Sequence, residues 1–68
     1  MYVVIEFQQN GQSVATLVNS YADRNLAEQK YHMVLAAAAV SQVEHHSCTM
    51  LTGEGKLIKN ESYSHEVE

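Results

Sequence analysis

The chain is 68 residues long, enough for one domain at most. Eight acidic residues against four basic ones give a net charge of −4, and the bases (Arg24, Lys30, Lys56, Lys59) are scattered, which argues against a surface that tracks nucleic-acid phosphates. A single cysteine excludes an internal disulfide, and an apolar content of 46% is ordinary for a globular domain.

A domain this small buries only about 60% of its unfolded surface. Chains of this size usually add a disulfide, a metal or a partner subunit. The N-terminus, "MYVVIEFQQNG", has a short apolar run that carries Glu6 and lacks a basic flank, so it does not read as a signal peptide. The longest apolar run, "MVLAAAAV", is too short to span a bilayer. A cytoplasmic protein without membrane partners is the expectation.

Residues 1–9 predict a strand rich in Tyr, Val, Ile and Phe. Asn10-Gly11 is a strong hairpin signal, because a type I′ turn needs positive φ at both central residues. The return strand covers 12–20. A turn centred on Asn10-Gly11 sets Phe7 opposite Val14, Ile5 opposite Thr16 and Val3 opposite Val18. That face is clearly apolar and is the one expected under a helix. The other face holds Tyr2, Val4, Glu6, Ala15 and Leu17, and is expected to stay open.

Asp23 suits an N-cap, since its carboxylate can accept from the free amides of the first turn and favours the dipole. A helix over about 24–40 follows, with strong helix formers in "LAAAAV" and no Pro or Gly. Ala27, Tyr31, Val34, Leu35 and Ala38 form one stripe, expected on the sheet. Leu26, Met33, Ala37 and Val40 form a second stripe on another side. Glu28 and His32, spaced i, i+4, make a surface pair.

A third strand covers 43–52 and a fourth 56–64, with 65–68 as a frayed tail. Between them "TGEGK" suits a three-residue loop with Gly55 in the left-handed region. Met50 is expected opposite Ile58 and Leu51 opposite Leu57. The order is ββαββ: an α+β fold, a four-stranded antiparallel sheet of two hairpins with one central helix on one face. Which strand of the first hairpin meets the second is not legible.

"VEHHSC" concentrates the chemically interesting side chains. Strand alternation sends His45 and His46 to opposite faces. His46 and Cys48 share a face, with Glu44 beside them and His65 near across the hairpin. Glu44, His46, Cys48 and His65 are thus a conceivable metal set, but lack any fixed-spacing signature, so no metal or cofactor is expected. A buried Cys48 packed as a small apolar residue, with His46 hydrogen-bonded at the sheet surface, is the preferred account of the stretch. No nucleophile elbow or Gly-rich strand-to-helix turn accompanies Cys48, so no catalytic residues and no enzyme activity are expected. Gly53 and Gly55 lie between strands and serve the turn rather than a phosphate.

Surplus apolar residues are the stronger functional signal. One helix on one sheet cannot bury Val4, Leu17, Leu26, Met33 and Val40 as well as the core stripe, and exposed apolar surface usually marks an interface. A homodimer is the simplest expectation, with an unknown protein partner as a further possibility. Weak nucleic-acid binding through tyrosines on the open sheet face is a third reading, against the acidic balance.

The segments "YVVIEFQ", "LVNSYADRNLAEQKYHMVLAAAAVS" and "LTGEGKLIKNESY" resemble short uncharacterised proteins of gut Clostridia and related Firmicutes. The resemblance covers nearly the whole chain and implies a stand-alone bacterial protein. It carries no activity and no functional residues. It also implies that residues other than His at 45 and alanine-like residues at 48 are common, which weighs against Cys48 as an essential ligand. A prophage or mobile-element setting is a further expectation from it.

Overall fold

The computed structural model describes residues 1–65. Its elements are β1 (Tyr2–Asn10), β2 (Ser13–Tyr21), α1 (Arg24–Ala39), β3 (His45–Thr52) and β4 (Leu57–Ser64). The four strands form one antiparallel sheet in the order β2-β1-β3-β4, with α1 on one face. The fold is α+β in the expected ββαββ order. The sheet joins its hairpins through β1 and β3, which leaves β2 and β4 as edges.

The first hairpin turns one residue later than Asn10-Gly11 suggested. Asn10 pairs with Ser13, so Gly11 and Gln12 form the loop. Gly11 has φ 60° and no other residue type among those described has positive φ. Only the first loop position is left-handed, which is the demand of a type II′ turn rather than type I′. A tertiary contact explains the shift. Asn10 Oδ1 accepts from the Glu44 amide at 2.9 Å, and Glu44 Oε2 accepts from the Gly11 amide at 3.0 Å. Asn10 is thereby held in the strand instead of the turn. Phe7 consequently faces Thr16, Ile5 faces Val18 and Val3 faces Ser20. The shift moves each partner by two places, so the division of residues between faces survives it.

Which face the helix covers is the reverse of the expectation. Val4, Cys48 and Met50 are the largest fully buried side chains, and they lie under Ala27, Tyr31 and Val34 of α1. Tyr2, Tyr21, Leu35 and Ile58 flank them. Val4, assigned above to an open surface, is core. Val4 pairs with Met50 and Glu6 with Cys48, so the helix side of β3 offers His46, Cys48 and Met50. The other side of β3 offers His45, Ser47, Thr49 and Leu51. The helix lies on the Val4 side although that side also carries Glu6 and His46, which pair with each other.

Asp23 caps α1 as expected: its Oδ1 accepts from the Asn25 amide at 2.8 Å, and its own backbone is extended. The C-terminus has no glycine cap. Val40 and Ser41 instead donate to Ala37 and Ala38 in tightened turns. His65 adds a bond from its ring Nε2 to the Ala38 carbonyl at 2.8 Å, and its amide donates to Glu44 O at 2.7 Å. His65 is therefore anchored, which corrects the frayed tail at that residue; 66–68 lie outside the described residues.

The second hairpin keeps its three-residue loop, with Thr52 N–H donating to Lys56 O at 2.8 Å and Gly55 at φ 89°. Leu51 faces Leu57 as expected, but Met50 faces Lys59. Ile58 is the extra residue of a β-bulge, which turns it toward the helix. β3 starts at His45, two places after the expected 43, because Val43 and Glu44 are taken up by a loop that ties Glu44 to the first hairpin.

Candidate functional site

Two regions hold the residues that composition and spacing single out. The first lies between the sheet and α1. His46 and His45 do point to opposite faces, with His46 buried and His45 exposed. His46 Nε2 lies 2.5 Å from Glu6 Oε2, and Gln8 Nε2 donates to the same oxygen at 2.9 Å. Both carboxylate and ring are largely shielded from water. His46 Nδ1 is buried with no hydrogen-bond partner among the described residues. Glu6 is the functional-looking residue that the motif reading missed. Its signal was parity: an acid on the same side of β1 as Val4, directly opposite Cys48.

Glu44 and His65, the other members of the conceivable metal set, are spent elsewhere. Glu44 secures the first hairpin turn and His65 the helix C-terminus. Among the described residues no three His, Cys, Asp or Glu side chains converge as metal ligands would. The pairing the structure does make is Glu6 with His46, a largely buried polar contact in which His46 Nδ1 has no partner among the described residues.

Cys48 is fully buried. Burial, followed by the nearby Glu6 carboxylate, pushes its thiol up to about 11 from 9.0. Thiolate is the nucleophilic form, so the native protein resists maleimide at pH 8 and reacts fully once denatured. Rapid stoichiometric labelling of the native chain would contradict this burial. The same shift has a stability consequence. The unfolded thiol ionises first, so its contribution is intact below pH 9 and is lost between about pH 9 and about pH 11.

Between α1 and β4, Glu28 gathers two cations and a histidine ring. Lys59 Nζ approaches at 2.5 Å, His32 Nε2 at 3.5 Å and Arg24 Nε at 3.6 Å. The Lys59 hydrogen bond is the main reason that the Glu28 carboxyl titrates below its ordinary range. Lys59 also sits 5.2 Å from the Tyr31 ring centroid. The group fastens α1 to β4. It extends the expected Glu28–His32 pair.

The second region is the open face of the sheet. Register places Val3, Ile5 and Phe7 at its centre, with Val14, Val18, Leu51 and Leu57 around them. Toward the β4 end it becomes polar but uncharged, with Ser47, Thr49, Asn60 and Ser62. Gln9, Thr16, Ser20, His45 and Ser64 complete it. No Asp, Glu, Lys or Arg belongs to this face. A depression of about 310 Å³ beside Phe7 is lined by Ser47, Thr49, Asn60, Ser62 and Glu61; by register Glu61 belongs to the helix side. Val14, Val18 and Leu57 are each more than half exposed, at 62%, 59% and 55%.

Of the apolar residues expected to join copies, Val4 is excluded by burial, while Leu17, Leu26, Met33 and Val40 are exposed. Leu26, Met33 and Val40 lie away from the buried stripe of α1. The tyrosines do not provide a stacking platform on the open face: Tyr2, Tyr21 and Tyr63 belong by register to the helix side, and Tyr31 lies on the buried stripe of α1.

Comparison with family models, curated proteins and solved structures finds no match to this chain. Among the described residues no helix is long and apolar enough to cross a membrane.

Proposed function

We propose that the chain is a small non-enzymatic interaction module that acts as a homodimer, two copies meeting through the open faces of their sheets. The carrying observation is that this face is apolar at its centre and without a charged residue anywhere on it. Interface cores are depleted of charge in this way. The chain carries −4 overall, so a charge-free face is where two copies approach with least repulsion.

The dimensions suit such a contact. Four strands spaced about 4.8 Å, each about eight residues long, cover a plan area of about 500 Å². Side-chain relief raises the accessible area toward the roughly 800 Å² per partner of a standard interface. Two such sheets pack about 10 Å apart with the helices outward. The association also supplies the apolar burial that a chain of this length lacks alone.

Sedimentation of the wild type and of Ile5→Lys tests the reading. Ile5 lies at the centre of the open face, between Val18 and Thr49, and lysine there places a charge in the contact. The expected result is an assembly above the 7.6 kDa chain mass, whose mass is halved by the substitution while circular dichroism is unchanged. A wild type that sediments at the chain mass at high micromolar concentration would sink the proposal, as would a variant with unchanged mass. The resemblance to Clostridial proteins supports a prophage or mobile-element setting, for which phage structural or integrase genes beside the coding sequence are the check.

A further inference from the structure

The free edge of the sheet at β2 differs from the one at β4. β4 carries Lys59 and Glu61 and is distorted by the bulge at Ile58, which are ordinary ways of discouraging strand addition. β2, "SVATLVNSY", has no charge, no proline and no register break along its whole length. It is also exposed on both sides, with Leu17 51% exposed on the helix side and Val14 and Val18 exposed on the open side. An edge of this kind is a template for another strand.

Its register shows which strand fits. Ser13 closes the two-residue loop against Asn10, so alternate residues from Ser13 onward bond to β1. The amides and carbonyls of Val14, Thr16, Val18 and Ser20 therefore point outward. Leu17 is the midpoint of Ser13–Tyr21. An antiparallel copy of β2 placed about a two-fold axis at Leu17 sets Thr16 against Val18 and Val14 against Ser20. Each of these pairs exchanges both of its hydrogen bonds, and no outward group is left unpaired. Leu17 meets its own counterpart on the helix side in the close, non-hydrogen-bonded spacing. No like charges oppose one another anywhere along the contact.

From this self-complementarity we infer that β2 pairs with β2 of a second copy, extending the sheet continuously across both. The contact is isologous and closes on itself, so it does not propagate as a fibre. Its axis is perpendicular to the sheet, whereas the face-to-face contact needs an axis parallel to it. The two contacts use different surfaces, and with the face axis running across the strands so that it meets the edge axis they build a closed four-copy assembly.

Sedimentation combined with amide hydrogen exchange tests the edge. Leu17→Glu sets two carboxylates opposite each other at the axis; Leu17 is 51% exposed and its own neighbour across the β1–β2 ladder is Glu6, so the far-UV spectrum is the control for folding. The expected wild type has the four-copy mass and slow exchange at Val14, Thr16, Val18 and Ser20. Leu17→Glu is expected to halve the mass and to lose protection at those amides, with the far-UV spectrum retained. Ile5→Lys should also halve the mass but keep the protection, which separates failure of the face contact from failure of the edge contact. Unchanged mass in Leu17→Glu overturns the inference. Free exchange of the four amides in the wild type overturns it too, including a case in which they become protected only after an extended peptide is added.

Discussion

Met50→Ala is expected to cost about 2–5 kcal/mol, the range for truncating a buried long apolar side chain. A domain of this length with a single core holds only about 3–5 kcal/mol in total, so the variant is at the edge of folding. Met50 is completely buried, lies against Val4 from the neighbouring strand, and packs beneath α1. The space it leaves is bounded by two central strands and a helix, none of which can collapse into it without breaking ladder bonds. Met33→Ala is the matched control, since Met33 is 59% exposed on the outer side of the same helix. Denaturant unfolding should show Met33→Ala within about 0.5 kcal/mol of the parent. Equal losses at the two methionines would mean that the helix does not lie on the Val4 face.

The second large effect concerns Glu6 and His46. Glu6→Ala removes the only partner that the His46 ring has among the described residues, because Nδ1 already has none. Leaving a buried polar ring unpaired costs on the order of 3 kcal/mol. The informative contrast is the double replacement Glu6→Leu with His46→Leu, which removes both polar groups and keeps volume. Such replacements are often neutral or stabilising. A double-mutant cycle of Glu6→Leu, His46→Leu and the two combined, by urea denaturation, should therefore show strong coupling, with the double variant more stable than either single variant. Additive losses would show that the contact contributes no more than its packing.

Sequence patterning reached most elements because they depend on local chemistry. The Asp23 cap, the buried stripe Ala27, Tyr31, Val34 and Ala38, and the Gly55 loop each follow from a residue's own conformational preference or from helical periodicity. The separation of His45 from His46 follows from strand alternation alone. Errors arose where a distant residue intervened. Glu44 holds Asn10 out of its turn, and the Ile58 bulge changes the pairing of Met50. His65 is tied to a helix carbonyl far along the chain. None of these contacts leaves a periodic trace.

The candidate interface was legible as a quantity but not as a place. Composition shows more apolar side chains than one helix on one sheet can bury, and the structure keeps that surplus, with Leu17, Leu26, Met33 and Val40 exposed. Its location was misread through Val4. Taken alone, the first hairpin shows Val3, Ile5 and Phe7 as the drier side. The antiparallel pairing of β1 with β3 adds Cys48 and Met50 to the Val4 side, and that is the side under the helix.

By itself, then, the sequence determined the element order, the helix stripe and the membership of each sheet face, because period and parity are properties of the local chain. The tertiary structure alone decided which face is dry, which edge is free, and that the buried histidine of "VEHHSC" meets Glu6. Those outcomes depend on which strands become neighbours, and the pairing of β1 with β3 joins residues about 40 positions apart, beyond the reach of local period and parity.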